Sequence, residues 1–152
     1  MIDLTRIHHN GIVVADIDRA VADYGAALGL TFAPVRDFDP LAFWTPEEGL
    51  RDLRVRATYS LGQRVHLELV QGEGVFYDTA RAESARHIGL WVDDLPAEAA
   101  RLTEAGWTVR GANAAPQDGY GLIAYLASPD DALLVELIST DLKPVIDEWL
   151  GE

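Results

Sequence analysis

The chain repeats itself. His9-Asn10-Gly11-Ile12-Val13-Val14-Ala15-Asp16-Ile17 and His87-Ile88-Gly89-Leu90-Trp91-Val92-Asp93-Asp94-Leu95 both read H-x-G-apolar-x-V-x-D-apolar. An Ala-rich helical stretch follows each copy, about Ile17 to Leu28 before Gly29 and about Pro96 to Ala105 before Gly106, and a short β-like run follows each helix. The glycines are helix-stop signals, Pro96 sits where a helix start tolerates proline, and Asp16 and Asp94 are in N-cap position. A second matched pair is His66-Leu67-Glu68-Leu69-Val70 and Leu134-Val135-Glu136-Leu137-Ile138, each a strand with one acid at its centre. Further strands are expected at Leu53 to Leu61 and Leu122 to Ser128, joined to the acidic strands by turns at Gly62-Gln63 and Pro129-Asp130-Asp131. Each half thus reads strand, helix, three strands. A repeat of this kind buries the apolar faces of two equivalent units together. The expected class is α+β, with a first module over about 5–71, a second over about 85–139 and a terminal helix over about 141–150, in one domain spanning 1–152.

Three stretches fall outside the repeat. Arg36 to Gly49 reads as a long polar-aromatic insert, Gln71 to Ala85 joins the halves, and Gly111 to Gly121 is irregular.

Strand side chains alternate between faces. In the two H-x-G strands, Ile12 and Val14, like Ile88, Leu90 and Val92, make an apolar face for the helices to cover. His9 and His87 then point to the uncovered side. Leu67 and Leu69, and Val135 and Leu137, likewise turn Glu68 and Glu136 to that side. A carboxylate beside a core costs several kcal/mol, about 3–5, unless it is paired or bound to a cation. Two acids and two histidines at equivalent positions make a two-oxygen, two-nitrogen ligand set for one divalent ion, suited to Zn, Ni, Co, Mn or Fe(II). His66 shares the open face with Glu68, behind the ligands or facing substrate. His8, unmatched in the repeat, is expected on the helix side or the surface.

Composition removes other classes. There is no cysteine, which excludes disulfides, thiolate sites and a cysteine nucleophile. The net charge of −13 argues against nucleic acid or an anionic membrane as partner. No apolar run reaches the roughly 20 residues of a membrane span, and MIDLTRIHHN lacks a signal-peptide pattern. A cytoplasmic protein acting on a small molecule is expected.

In these motifs the chain resembles the vicinal oxygen chelate superfamily, which includes glyoxalase I, methylmalonyl-CoA epimerase, extradiol dioxygenases and the fosfomycin and bleomycin resistance proteins. The resemblance runs from about Thr5 to Ser139 and rests on H-x-G-apolar-x-V-x-D at His9 and His87 and on L-E-L and V-E-L at Glu68 and Glu136. It implies paired βαβββ modules forming a cup-shaped mixed sheet with helices outside, and a homodimer. The His-Glu-His-Glu set is similar to that of bacterial glyoxalase I, and epimerases usually carry Gln at the position of Glu68, whereas the long first-half insert and H-I-G-L-W-V-D-D-L around His87 look more like the epimerase branch. Proton removal next to a carbonyl, with the enolate chelated by the metal, is the chemistry the resemblance implies, on a small organic substrate such as an acyl thioester or hemithioacetal. Glu136 and Glu68 would be the bases, which makes the chain an isomerase, epimerase or lyase. An Fe(II)-dependent dioxygenase and a non-catalytic ligand-binding or drug-resistance protein of the same fold are the alternatives.

Candidate substrate contacts complete the reading. In the strand from Leu53 to Leu61, Val55, Ala57 and Tyr59 form an apolar set, which leaves Arg54 and Arg56 to face the cup and meet a substrate anion. His66, Trp91 and Tyr125 are candidate pocket residues. Phe43 and Trp44 are candidates for an aromatic lid, and Glu47 and Glu48 are outside candidates for a second base.

Overall fold

The computed structural model describes residues 1–81 and 86–152. Eight strands form one closed barrel: β1 Ile7–Val13, β2 Arg36–Thr45, β3 Gly49–Tyr59, β4 His66–Gly72, β5 His87–Val92, β6 Thr108–Ala112, β7 Ile123–Ala127 and β8 Leu134–Ser139. Their order around the barrel is β1-β4-β3-β2-β6-β7-β8-β5. The two repeats are therefore contiguous half-barrels. They meet along β1 and β5, which run antiparallel, and on the other side through a short pairing of β2 with β6, where Trp44 bridges Ala112 and Asn113 Nδ2 donates to the Ala42 carbonyl. Within each half the H-x-G strand lies parallel to the acidic strand, β1 beside β4 and β5 beside β8. Parallel neighbours need a long crossover connection, and here it consists of the helix after each H-x-G strand together with the two strands that follow it.

The helices are α1 Ile17–Leu28, α2 Leu95–Glu104 and α3 Lys143–Leu150. Asp16 accepts from the Arg19 amide and Asp94 from the Ala97 amide, so both expected N-caps form. Gly29 closes α1 at φ 68°, a left-handed value glycine adopts without a Cβ penalty. Helix α2 buries Leu95, Ala99 and Leu102, spaced i, i+4, i+7, against Leu90, Val135 and Leu137 on the outer face of the sheet. Each fully buried Leu contributes about 1.5–3 kcal/mol. Helix α1 covers Leu69 in the same way through Ile17 and Ala20. Helix α3 behaves differently: Ile146, Trp149 and Leu150 join the cluster that fills the barrel interior with Phe43, Val55, Tyr59 and Tyr125.

The stretch expected as an insert, Arg36 to Gly49, is instead strand β2 and the turn into β3. Phe38 pairs with Val55 and Leu41 with Leu53, so three steps on β2 meet two on β3. That bulge at Asp39-Pro40 breaks the alternation that would have marked a strand in the sequence. The expected linker over 71–85 contains short 3-10 turns at Val75–Tyr77 and Thr79–Arg81, while 82–85 lie outside the described residues. No helix among the described residues is long and apolar enough to cross a membrane.

Candidate metal centre

Strand register brings the two repeats into one site. Across the middle of the sheet, Glu68 of β4 lies beside Gly11 of β1, which lies opposite His87 of β5. In the adjoining row, His9 of β1 lies opposite Gly89 of β5, which lies beside Glu136 of β8. Each histidine therefore leans across the glycine of the other repeat. A Cβ on Gly11 would meet the His87 ring at 2.1 Å, and a Cβ on Gly89 would meet the His9 ring at 2.1 Å. The H-x-G spacing is the sequence trace of this reciprocal packing.

The result is a cluster of four buried donors, His9, Glu68, His87 and Glu136, whose ligand atoms all lie within 4.8 Å of one another. His9 Nε2 is 3.2 Å from His87 Nε2, 3.3 Å from Glu68 Oε2 and 2.9 Å from Glu136 Oε2. His87 Nε2 is 3.1 Å from Glu68 Oε2 and 3.4 Å from Glu136 Oε2. A metal bonded to such donors at about 2.0–2.2 Å separates them by roughly 2.8–3.6 Å in tetrahedral or octahedral arrangements. The five separations that involve an imidazole nitrogen fall in that range, and the two carboxylate oxygens lie within 4.8 Å of each other. Glu136 Oε2 is moreover the single buried side-chain oxygen or nitrogen among the described residues that has no hydrogen-bond partner. An orphaned carboxylate oxygen aimed at two imidazole nitrogens fits a divalent cation.

The electrostatics agree. Burial pushes the Glu136 carboxyl upward, but the imidazoles of His87 and His9 outweigh it and hold the group well below the usual carboxylate range. Burial would likewise lower the His87 imidazolium, yet Glu136 and Glu68 override it and raise His87 to about 10. The two carboxylates thus demand positive charge in their midst, which a proton or a metal ion can supply.

Three tyrosines close around the cluster. Tyr59 hydrogen-bonds Glu68, Tyr77 hydrogen-bonds Tyr125, and the Tyr125 ring stands edge-on to His87 at 5.0 Å. Burial first, and then the charges of Glu68 and Glu136, raise all three phenols, so they stay neutral. Tyr125 is where the sequence reading places a pocket residue. In the sequence Tyr59 belongs to an apolar strand face and Tyr77 to the linker, and neither context gives a sign of where the hydroxyl ends.

A cavity of about 400 Å³ opens onto Glu68 and Glu136. Its walls include Phe38, Val55, Tyr59, Tyr125 and Ile138, and α3 roofs it with Val145, Ile146 and Trp149.

Several expected contacts lie elsewhere. Arg54 and Arg56 do not face the cup. Val55, Ala57 and Tyr59 do, and the arginines point to the outer surface, where Arg54 pairs with Asp39 at 3.4 Å and Arg56 with Asp18 and Asp37 at 2.8 and 2.9 Å. The interior of the barrel is apolar along β3, so the charged face of that strand turns to solvent. Phe43 is no lid: it is buried in the barrel interior against Phe76 and Tyr77, while Trp44 packs on the α2 side. Glu48 pairs with Arg51 and Glu47 lines a separate recess with Arg110, away from the four ligands.

His66 and Trp91 line a third recess, of about 280 Å³, together with His8. His66 Nδ1 is 2.6 Å from the Ser60 carbonyl oxygen. His8 is buried rather than on the surface, because a register shift between Ile7 and His9 breaks the alternation of β1. Its Nδ1 lies 2.9 Å from Nδ1 of His9, leaving Nε2 of His9 for the cluster. Burial, aided by His9 and His66, lowers His8 to about 3, so it is a neutral partner.

The family model described as the Glyoxalase/Bleomycin resistance protein/Dioxygenase superfamily matches residues 8–125. No curated protein matches the chain in sequence. Among solved structures, the chain is similar to methylmalonyl-CoA epimerase from Mycobacterium tuberculosis, with 19% identity over 91% of this chain and 92% of that one at a TM-score of 0.57. A hypothetical protein from Bacillus halodurans aligns with 18% identity over 88% and 92% at 0.57. Methylmalonyl-CoA epimerase from Streptomyces coelicolor aligns with 22% identity over 88% and 93% at 0.51. At these identities the likeness is one of fold.

Proposed function

The chain belongs to the Glyoxalase/Bleomycin resistance protein/Dioxygenase superfamily, and on that footing we propose that it is a metal-dependent isomerase, epimerase or lyase that removes a proton from carbon next to a carbonyl. One observation carries the reading: the four-donor cluster opens, through its two carboxylates, into a single apolar cavity. A divalent ion held by His9, Glu68, His87 and Glu136 would supply Lewis-acid stabilisation of negative charge on the substrate carbonyl oxygen, a matter of several kcal/mol.

The two acids are not equivalent. Glu68 is tied to the Tyr59 hydroxyl as well as facing the histidines, whereas Glu136 Oε2 faces the imidazoles of His9 and His87 at 2.9 and 3.4 Å. With those two nitrogens turned to a metal, Glu136 is the carboxylate with nothing else to hold it, able to swing toward the cavity and take the proton, and Glu68 the one that holds position on the opposite wall. A proton returned by Glu136 to the neighbouring carbon gives isomerisation. For epimerisation Glu68 would deliver to the other face a proton it had taken from solvent, and Glu136 would release to solvent the proton it had removed. The apolar walls and the α3 roof keep water from the deprotonated carbon. An acyl thioester or a hemithioacetal has the required acidic carbon.

The test is solvent exchange in deuterium oxide, with zinc-, nickel- or cobalt-loaded protein and two substrates, methylmalonyl-CoA and the hemithioacetal of methylglyoxal and glutathione. The native chain is expected to incorporate deuterium into one of them, and Glu136→Gln to abolish incorporation while keeping the fold. Exchange retained in Glu136→Gln sinks the assignment of the base. Oxygen consumption by Fe(II)-loaded protein would move the reaction to the dioxygenase class instead.

A further inference from the structure

The chain carries 25 acidic and 12 basic side chains, so carboxylates compete for cations to pair with. Eight Lys and Arg side chains, from Arg6 to Lys143, hold one. Arg36 pairs with none among the described residues. Among the described residues it is also the one Lys or Arg side chain lining the cavity that opens onto Glu68 and Glu136.

What holds Arg36 is an aromatic face. Its guanidinium carbon lies 4.7 Å from the centroid of the Trp149 ring. That ring is itself fixed, since Trp149 Nε1 donates to the Pro34 carbonyl at 2.8 Å and its plane packs against Tyr59 and Phe38. This cation–π contact uses none of the guanidinium N–H donors, and no carboxylate among the described residues pairs with them. A planar fork held at the edge of an apolar cavity is preorganised for a bidentate carboxylate.

The register sets the separation. Arg36 is opposite Ala57, Ala57 opposite Val70, and Val70 is two residues from Glu68. Two strand spacings and two residues of rise put the Arg36 and Glu68 backbones roughly 12 Å apart. Both side chains line the same cavity, and by the register the residues between them are Ala57, Val70 and Tyr59.

We infer that the substrate of this site is an apolar-bodied organic monoanion whose carboxylate docks on Arg36 and whose carbonyl lies several bonds away, at Glu68 and Glu136. The charge count favours a carboxylate over a phosphate monoester: one guanidinium balances one charge, and a dianion would enter a −13 molecule with no second Lys or Arg among the described residues of the cavity lining. The inference rests on the cavity being the substrate site of the proposed function, and adds the anionic end of the substrate and the residue that selects it.

Calorimetric titration of zinc-loaded protein with 5-benzoylpentanoate and with its neutral amide, 5-benzoylpentanamide, tests it. The native protein is expected to bind the carboxylate about tenfold more tightly, the worth of one charge-assisted pair. Arg36→Gln should erase that preference without weakening the amide, and Arg36→Lys, which keeps the charge but not the fork, should restore part of it. Equal binding of the two probes, no binding of either, or a preference that survives Arg36→Gln overturns the inference. The last outcome would place the carboxylate on the metal. Failure here leaves metal content and deuterium exchange untouched, and a chain that lost both but kept the Arg36-dependent preference would sink the proposed reaction alone.

Discussion

His87 lies so close over Gly11 that a Cβ at that glycine would stand 2.1 Å from the ring's Cε1 and Nε2. Gly89 stands in the same relation to His9. Neither glycine adopts a positive φ, so what each position requires is space and not backbone freedom. Gly11→Ala should push His87 off the cluster and Gly89→Ala should push His9. Each is expected to weaken zinc binding by about 100-fold or more, at the upper end of what loss of ligand orientation costs, and to destabilise the fold by about 1–3 kcal/mol through overpacking. Titration with zinc against a chromogenic chelator measures the first, and urea unfolding the second.

Metal-free protein should be pH-sensitive in a defined direction. His87 rises from an ordinary value of 6.5 to about 10 in the folded chain, so its contribution is complete below pH 6.5 and is lost as pH climbs toward 10. Glu136 falls below its ordinary 4.5, so its contribution is complete above pH 4.5 and is lost on acidification below it. Thermal unfolding of metal-free protein should therefore show its highest midpoint between about pH 4.5 and 6.5. A flat profile from pH 6.5 to 9.5 would contradict the cationic His87.

The same proton governs loading. Metal ligation needs a neutral imidazole, and His87 carries a proton at pH 8 in the metal-free cluster. Zinc binding at pH 8 should release a proton, read from the dependence of binding heat on buffer ionisation enthalpy. Bound metal at 1,000 times its dissociation constant should add about 4 kcal/mol of stability and flatten the pH profile above neutrality.

His8 sits behind His9, nitrogen to nitrogen at 2.9 Å. Replacing it by a ring without nitrogen, His8→Phe, should preserve volume and cost roughly 10–100-fold in zinc affinity, with an altered visible spectrum of the cobalt-substituted protein. Native affinity and spectrum in that variant would show that His9 needs no partner on its far side.

Arg54 and Arg56 point to solvent and hold surface carboxylates. Arg54→Ala and Arg56→Ala should leave zinc affinity and the binding of 5-benzoylpentanoate within about twofold of native, as exposed ion pairs contribute little. A large loss in either would return that arginine to the cup.

The parts of the site that could be read from the chain are those that follow from local periodicity. Residues two apart on a strand share a face, so Gly11 and Val13 go where His9 goes, and equivalent residues of a repeat take equivalent places. His9, Glu68, His87 and Glu136 converge for that reason. The same alternation said that Arg54 and Arg56 share a face, but not which face. Along β1, β4, β5 and β8 helices mark the outside. Along β3 nothing in the sequence did, and the expectation came out reversed. His8 and β2 were misjudged for another reason: one bulge at Ile7/His9 and one at Asp39-Pro40 each insert a step into the pairing, and an inserted step changes the face of everything on one side of it.

The amino-acid sequence by itself determined the two-module plan, the helix caps and the identity of the four converging donors, because repeats, caps and strand parity are short-range properties of the chain. Only the tertiary structure decided what surrounds those donors. That α3 roofs the cavity, that Tyr59 hydrogen-bonds Glu68, and that Arg36 rests on Trp149 all depend on closing the barrel, which packs together side chains whose separation along the chain carries no local signal.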